Sequence, residues 1–260
     1  MPATYAHYRF GTMLLPNMPG DVRRTIQRFR RLFEVGLHGP DIFYYQIPGF
    51  KKDASFLGIK FHEQTGKEFF QRVVRAVRLE RSEASQAYLY GVLCHYCLDS
   101  RMNSYIKEQA EQEGISSLMV ETEFDRFLLE KDGKVPACSQ DLTPHLKLTP
   151  GEWETVAKFY PPATAKNVKD SLNNMIFILR LLATPEGTRR KVLTKGVGVL
   201  GKEFSGAVMT VEPNPKCQHL NEGLLARYED AQAQFAEMLS QLQAHMTYSA
   251  ALEDAFASTF

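Results

Sequence analysis

Apolar residues recur at spacings of three and four along most of the chain, and alternation of period two is hard to find. This pattern predicts an all-α fold. A first helix is expected over residues 19–35, with Val22, Ile26, Phe29 and Phe33 on one face and Gly36 just past its end. A second over 64–79 uses Phe69, Val73, Val74 and Val77, a third spans 83–113 and a fourth 116–129. LTPGEWETVAKFY carries a strong start signal, with Thr149 as N-cap, Pro150 at the first helical position and Glu152 closing a capping box. Further helices are expected over 163–183, 185–193 and 220–246. Residues 195–217 are the least helical part, where EFSGAVMTV reads as a short strand or a loop, and the terminal EDAFASTF is expected to fray. With no internal repeat, 260 residues are read as one large domain over 1–260.

Composition narrows the class. Hydrophobic residues make up 44% and charged residues 23%, as in ordinary packed proteins, and 31 Lys plus Arg against 30 Asp plus Glu lack the positive footprint of a general nucleic-acid binder. Arg23, Arg24, Arg28, Arg30 and Arg31 crowd one face of the first helix. Such a face could touch an anionic membrane, although a solvated charged surface is the commoner case. No transmembrane segment is expected, because the most apolar stretch, MIFILRLLA at 175–183, is interrupted by Arg180 and falls far short of the roughly 20 residues a span needs. MPATYAHYRFG lacks the pattern of a secretory signal, so a cytoplasmic location with reduced thiols is expected for the four cysteines.

Two motifs are decoys. GVGVLG at 196–201 formally matches a dinucleotide fingerprint, but no strand precedes it and no helix opens on it. Cys94 and Cys97 form a Cys-x-x-Cys pair in the middle of an expected helix, away from the helix N-terminus that would activate a thiol, and read as small packing residues. His145, His219 and His245 lack partners nearby in sequence and read as surface or structural.

The same stretch, GVLCHYCLDSRMNSYI, holds a better constellation. Four residues advance a helix by about 400°, so His95 and Asp99 project from one face and can ligate the same ion, with Asn103 one turn further along. A lone His-x-x-x-Asp is a weak signal. Its neighbours strengthen it: His7 in an aromatic N-terminal stretch, Asp41 in HGPDIFYY and His62 in GIKFHEQTG near loop-to-helix junctions, and Glu121 in MVETEFDRFLL on the next helix.

YAHYRFG, HGPDIFYY, FHEQTG, HYCLDS and ETEFDRFLL, in this order over roughly residues 1–130, resemble the zinc-dependent phospholipase C family; CQHLNEG, followed by a long helix, is a weaker echo. The resemblance implies an all-helical fold with up to three zinc ions in a cleft. It assigns His7, Asp41, His62, His95 and Asp99 to a zinc pair bridged by Asp99. Family members continue the metal helix as His-x-x-x-Asp-x-x-x-His-Pro-Tyr-Ile and carry a further histidine ahead of the glutamate on the next helix, whereas this chain has Asn103 and Ser117 at those places and keeps only Glu121. Asparagine and serine oxygens are poor zinc ligands beside imidazole, so one or two ions are expected rather than three.

Three functions follow from these readings. The first is a metal-dependent hydrolase of a phospholipid or another phosphoester, with Asp41 as a ligand or as the acceptor of the proton from attacking water. The second is a degenerate relative that keeps the fold and a partial metal site and acts by binding. The third is a helical interaction protein without metal, in which Asp41 and Asp99 merely cap or pair.

Overall fold

The structure, a computed structural model, describes residues 4–46, 55–199, 201–204 and 206–260. It is all-α: α1 (Thr4–Leu14), α2 (Gly20–Arg28), α3 (Arg30–Gly36), α4 (Ser55–His62), α5 (Gly66–Glu80), α6 (Glu83–Gln112), α7 (Ser117–Lys131), α8 (Pro150–Ala157), α9 (Ala165–Leu182), α10 (Thr188–Val199) and α11 (Asn221–Tyr248), joined by short 3₁₀ turns of which Gly39–Tyr45 is the longest. Among the described residues the one β-type pairing is an isolated bridge between Thr65 and Thr259.

The 30-residue helix α6 is the axis of the molecule. From Ala87 to Asp99 every residue is buried, as expected of a helix covered on all sides. The helices α3 and α11 pack along it, and α1 and α2 also lie against it. The contact with α3 is unusually close: a Cβ at Gly91 would sit 2.3 Å from the Phe33 carbonyl oxygen, and one at Gly36 would sit 2.6 Å from that of Tyr88. Only glycines let the two backbones meet in this way.

Local signals set several boundaries. Thr149, Pro150 and Glu152 open α8 with the expected capping box, and Thr65 and Glu68 open α5 with another. Such a cap contributes about 1 kcal/mol. Ser82 and Ser116 cap α6 and α7 by accepting from the backbone N–H groups of Ser85 and Met119.

Other expectations need correction. The helix read over 19–35 breaks at Phe29, whose φ of −121° and ψ of 43° leave the helical region, and this lets α2 and α3 pack separately on α6. The N-terminal aromatic stretch is itself a helix, α1. Residues 195–199 continue α10 through Gly196 and Gly198, since glycine weakens a helix without ending it. EFSGAVMTV overlaps a turn of 3₁₀ helix, Lys202–Phe204, at its start and otherwise runs as turn and loop among the described residues, the second of the two expected readings. The C-terminal residues do not fray: Phe256 and Phe260 are buried, and the Ser258 carbonyl oxygen accepts from the Gly66 N–H at 2.8 Å and from the Tyr96 hydroxyl at 3.0 Å. Residues 47–54, between the HGPD turn and α4, lie outside the described residues.

Candidate metal centre

Four elements converge on one buried point. The α6 helix presents His95 and Asp99 one turn apart, with Nε2 of His95 3.4 Å from Oδ2 of Asp99. The 3₁₀ segment after α3 delivers Asp41, and the last residue of α4 delivers His62, whose Nε2 lies 2.8 Å from Oδ1 of Asp41. One donor atom from each of Asp41, His62, His95 and Asp99 falls within 4.8 Å of all the others. A tetrahedral zinc with bonds near 2.0–2.1 Å holds its ligands roughly 3.4 Å apart, so small side-chain rotations would close the set. From the other side α1 brings His7, with Nε2 3.1 Å from Oδ1 of Asp99 and its ring stacked on that of His95. The two oxygens of Asp99 therefore face two different histidines.

Gly39 makes the convergence possible. Its φ is +47°, and a Cβ there would lie 2.4 Å from the His95 ring, so the segment carrying Asp41 can rest directly on the metal helix only with glycine at this position. On α1, the backbone N–H groups of Tyr5 and Ala6 donate to the buried Asp125 of α7 at 2.8 and 2.7 Å, which fixes the first turn that carries His7. At the far side, the C-terminal Phe260 stacks on His95 with ring centroids 5.9 Å apart.

The donor set fits a cation. His95 is fully buried and neither of its ring nitrogens makes a hydrogen bond, and the buried His7 has no hydrogen-bond partner at Nδ1. A buried polar atom without a partner costs about 1–3 kcal/mol, which an ion would offset. The His62 ring faces the Gly58 carbonyl oxygen through Nδ1 at 2.6 Å and a carboxylate oxygen of Asp41 through Nε2 at 2.8 Å. With Nδ1–H donated to Gly58, the lone pair on Nε2 meets Asp41 only across a proton or a metal, and a backbone acceptor behind the ring is the usual way a ligand histidine is oriented.

The electrostatics agree. Burial alone would make Asp99 easier to protonate, but His95, His7 and His62 together hold it below the usual carboxylate range. Burial opposes charge on His7 and on His62, yet Asp99 and Asp41 respectively outweigh it and shift both rings upward. His95 is pushed down to about 4, chiefly by burial, so it is a neutral imidazole. His95 and Asp99 thus stand in the forms that bind metal, neutral imidazole and ionised carboxylate, whereas the upward shifts of His7 and His62 favour protons that an entering ion would have to displace.

Residues 6–102 match the family model described as zinc dependent phospholipase C. Over these residues the chain is similar to that family. All five donors, His7, Asp41, His62, His95 and Asp99, fall within the match, which ends one residue before Asn103. Neither the curated proteins nor the solved structures gave a match. A zinc-dependent phospholipase C-like chain with a four-residue candidate metal site is therefore what sequence and geometry share.

The departure from the family's third zinc site has a location. Asn103 and Glu121 line a small cavity together with His7 and Asp99, and the Glu121 carboxyl is pushed up to about 8, mainly by burial, with Asp41 and Asp99 adding to the effect. Ser117 sits one turn before Glu121, at the start of α7. Two nearby histidines escaped the reading of the sequence as part of this region. His38, buried just before Gly39, lies with its Nε2 2.7 Å from that of His145, and His145 also stacks on Tyr8 of α1. Burial pushes His145 down to about 4 and His38 well below its ordinary value, so the pair is neutral, one ring donating to the other. His219 is exposed beside Glu113, and His245 faces the Ala250 carbonyl oxygen. All four cysteines are free and buried, and burial raises the Cys97 thiol to about 12, far from a reactive thiolate.

Proposed function

We propose that this chain is a zinc-dependent hydrolase of phosphodiesters, acting on a phospholipid or a related phosphoester. In this reading Asp41, His62, His95 and Asp99 would hold one ion, and His7 with Asp99 would hold another. The observation that carries it is Asp99: its two oxygens address His95 and His7 separately, as a carboxylate shared between two ions does. Bound zinc would polarise the phosphoryl oxygen and bring the pKa of water towards about 7. The chain's own residues supply the rest. The Gly58 carbonyl fixes the tautomer of His62, Gly39 sets Asp41 against the centre, and Asp41 either ligates or takes the proton of attacking water through its carboxylate. Glu121 stands beside the pair as the remaining acidic group of the cleft.

The test combines elemental analysis with turnover of a soluble chromogenic phosphodiester and of a phospholipid. Zinc-loaded protein should carry two ions per chain and hydrolyse at least one of the two, and Asp99→Asn should lose both metal and turnover. Full zinc occupancy without hydrolysis in either assay would reject the reading. It would then favour a second one, a relative that keeps the metal as a support and acts by binding, for which the replacement of two histidines by Asn103 and Ser117 is the specific observation.

A further inference from the structure

The arginine-rich face of α2 and α3 is largely neutralised. Arg28 pairs with Glu83, Arg30 with Glu34 and Arg31 with Glu152, while Arg23 donates to the Pro16 carbonyl oxygen. A second run of positive charge lies elsewhere. From Gly187 to Lys202 the chain has Arg189, Arg190, Lys191, Lys195 and Lys202 and no aspartate or glutamate. Arg189, Lys191, Lys195 and Lys202 are exposed and make no ion pair among the described residues. Interleaved with them are apolar side chains open to solvent: Val192 is 64% exposed, Val199 87% and Phe204 41%.

This surface is the rim of a pocket. Arg190 donates to the carbonyl oxygens of Thr184 and Met209, which ties α10 to the edge of an apolar cavity of about 220 Å³. Leu142, Leu182, Phe204 and Met209 line it, together with Tyr44 and Glu121. The Tyr44 ring lies 4.9 Å from that of His62, and Glu121 also lines the small cavity beside His7 and Asp99. The apolar cavity thus lies between the segment that follows the basic helix and the residues beside the candidate metal centre, with Glu121 lining both it and the small cavity next to His7 and Asp99.

From this juxtaposition we infer that α10 and the Lys202–Phe204 turn form a docking surface for an anionic phospholipid bilayer, with Phe204 entering the headgroup region and the adjoining cavity receiving apolar parts of a lipid. Unpaired basic residues beside exposed apolar ones are the combination that holds a helix in a membrane interface, and the five cations from Arg189 to Lys202, against Glu203 alone within the surface and Glu186 just before it, favour a negative partner. The docking stands apart from catalysis; only its purpose, delivery of lipid to the centre, rests on the proposed hydrolysis.

Co-sedimentation of the full chain with vesicles tests it. The protein should bind phosphatidylcholine vesicles containing phosphatidylglycerol, bind pure phosphatidylcholine far less, and release on raising the salt. Combining Arg189→Glu, Lys191→Glu and Lys195→Glu should weaken binding by on the order of 100-fold, since each basic residue near an anionic surface counts for about a factor of five. Phe204→Ser should weaken it further, while Arg24→Glu on α2 should leave it unchanged, all variants retaining the native circular dichroism and zinc content. Failure of the native protein to bind anionic vesicles would overturn the inference. So would equal binding by the triple variant, equal loss in Arg24→Glu, or a preference for duplex DNA over vesicles at the same salt. Turnover of the soluble phosphodiester reports on the metal centre alone, so an inert protein that still shows these vesicle effects supports the docking surface.

Discussion

His95, Asp99 and Asn103 follow one another by single turns along α6, and the chemistry changes between the second and the third. The first two are a neutral imidazole and an ionised carboxylate with the donor types zinc prefers. Asn103 offers an amide oxygen into the cavity it shares with Glu121, whose carboxyl is held up to about 8 by burial. A carboxyl in that state keeps its proton at neutral pH unless a cation replaces it. The residue-level prediction is that Asn103→His combined with Ser117→His adds one zinc per chain to the native content, measured by elemental analysis, with a proton released on binding. An unchanged stoichiometry would show that the cavity itself, and not the identity of two side chains, excludes the ion.

At the scale of elements, the tail after α11 has a larger part than its exposed polar composition implies. Phe260 packs on His95, on Tyr96 at 5.0 Å and on Phe69 at 4.9 Å, so it closes the metal helix against α5. Truncating a buried phenylalanine costs about 3–5 kcal/mol. Phe260→Ala should accordingly lower the Tm by on the order of 10 °C and weaken zinc retention in a competition with chelator, whereas a tail that merely frayed would give no change in either. This element also shows where sequence reasoning stops. The capping box at Thr149, the course of α6 and the pairing of His95 with Asp99 are written in residues three or four apart, and these were legible directly. The family resemblance extended that reach to His7, Asp41 and His62, which no local spacing connects. The docking of Phe260, the neutral His38–His145 pair and the break at Phe29 depend on partners more than 100 residues away or on packing against α6, and no local pattern encodes them. For α1 a signal did exist: Tyr5, Ala6, Phe10 and Leu14 fall at helical spacing, but the stretch is short and its anchor is the distant Asp125.

For the whole molecule the candidate centre, once it held an ion, would act as a clip. The residues that would supply its ligands come from α1, the turn after α3, α4 and α6, segments that span most of the first 100 residues and converge there. Without an ion, the folded state must hold Asp41 and Asp99 among buried histidines, with both ring nitrogens of His95 and Nδ1 of His7 lacking hydrogen-bond partners. An ion bound only by the folded state adds about 2.7 kcal/mol at a free concentration one hundred times its Kd. For a chain of this size each kcal/mol moves the Tm by roughly 2–4 °C, so stripping the protein with a chelator should lower its Tm by about 5–10 °C, and zinc should restore it. Because the clip joins α1 to α6, the loss should appear first at α1, as faster amide hydrogen exchange over residues 5–14 than over the buried middle of α6. A Tm indifferent to chelation, with α1 equally protected in both states, would mean that packing alone holds these segments together and that the ligand geometry has no part in the stability of the fold.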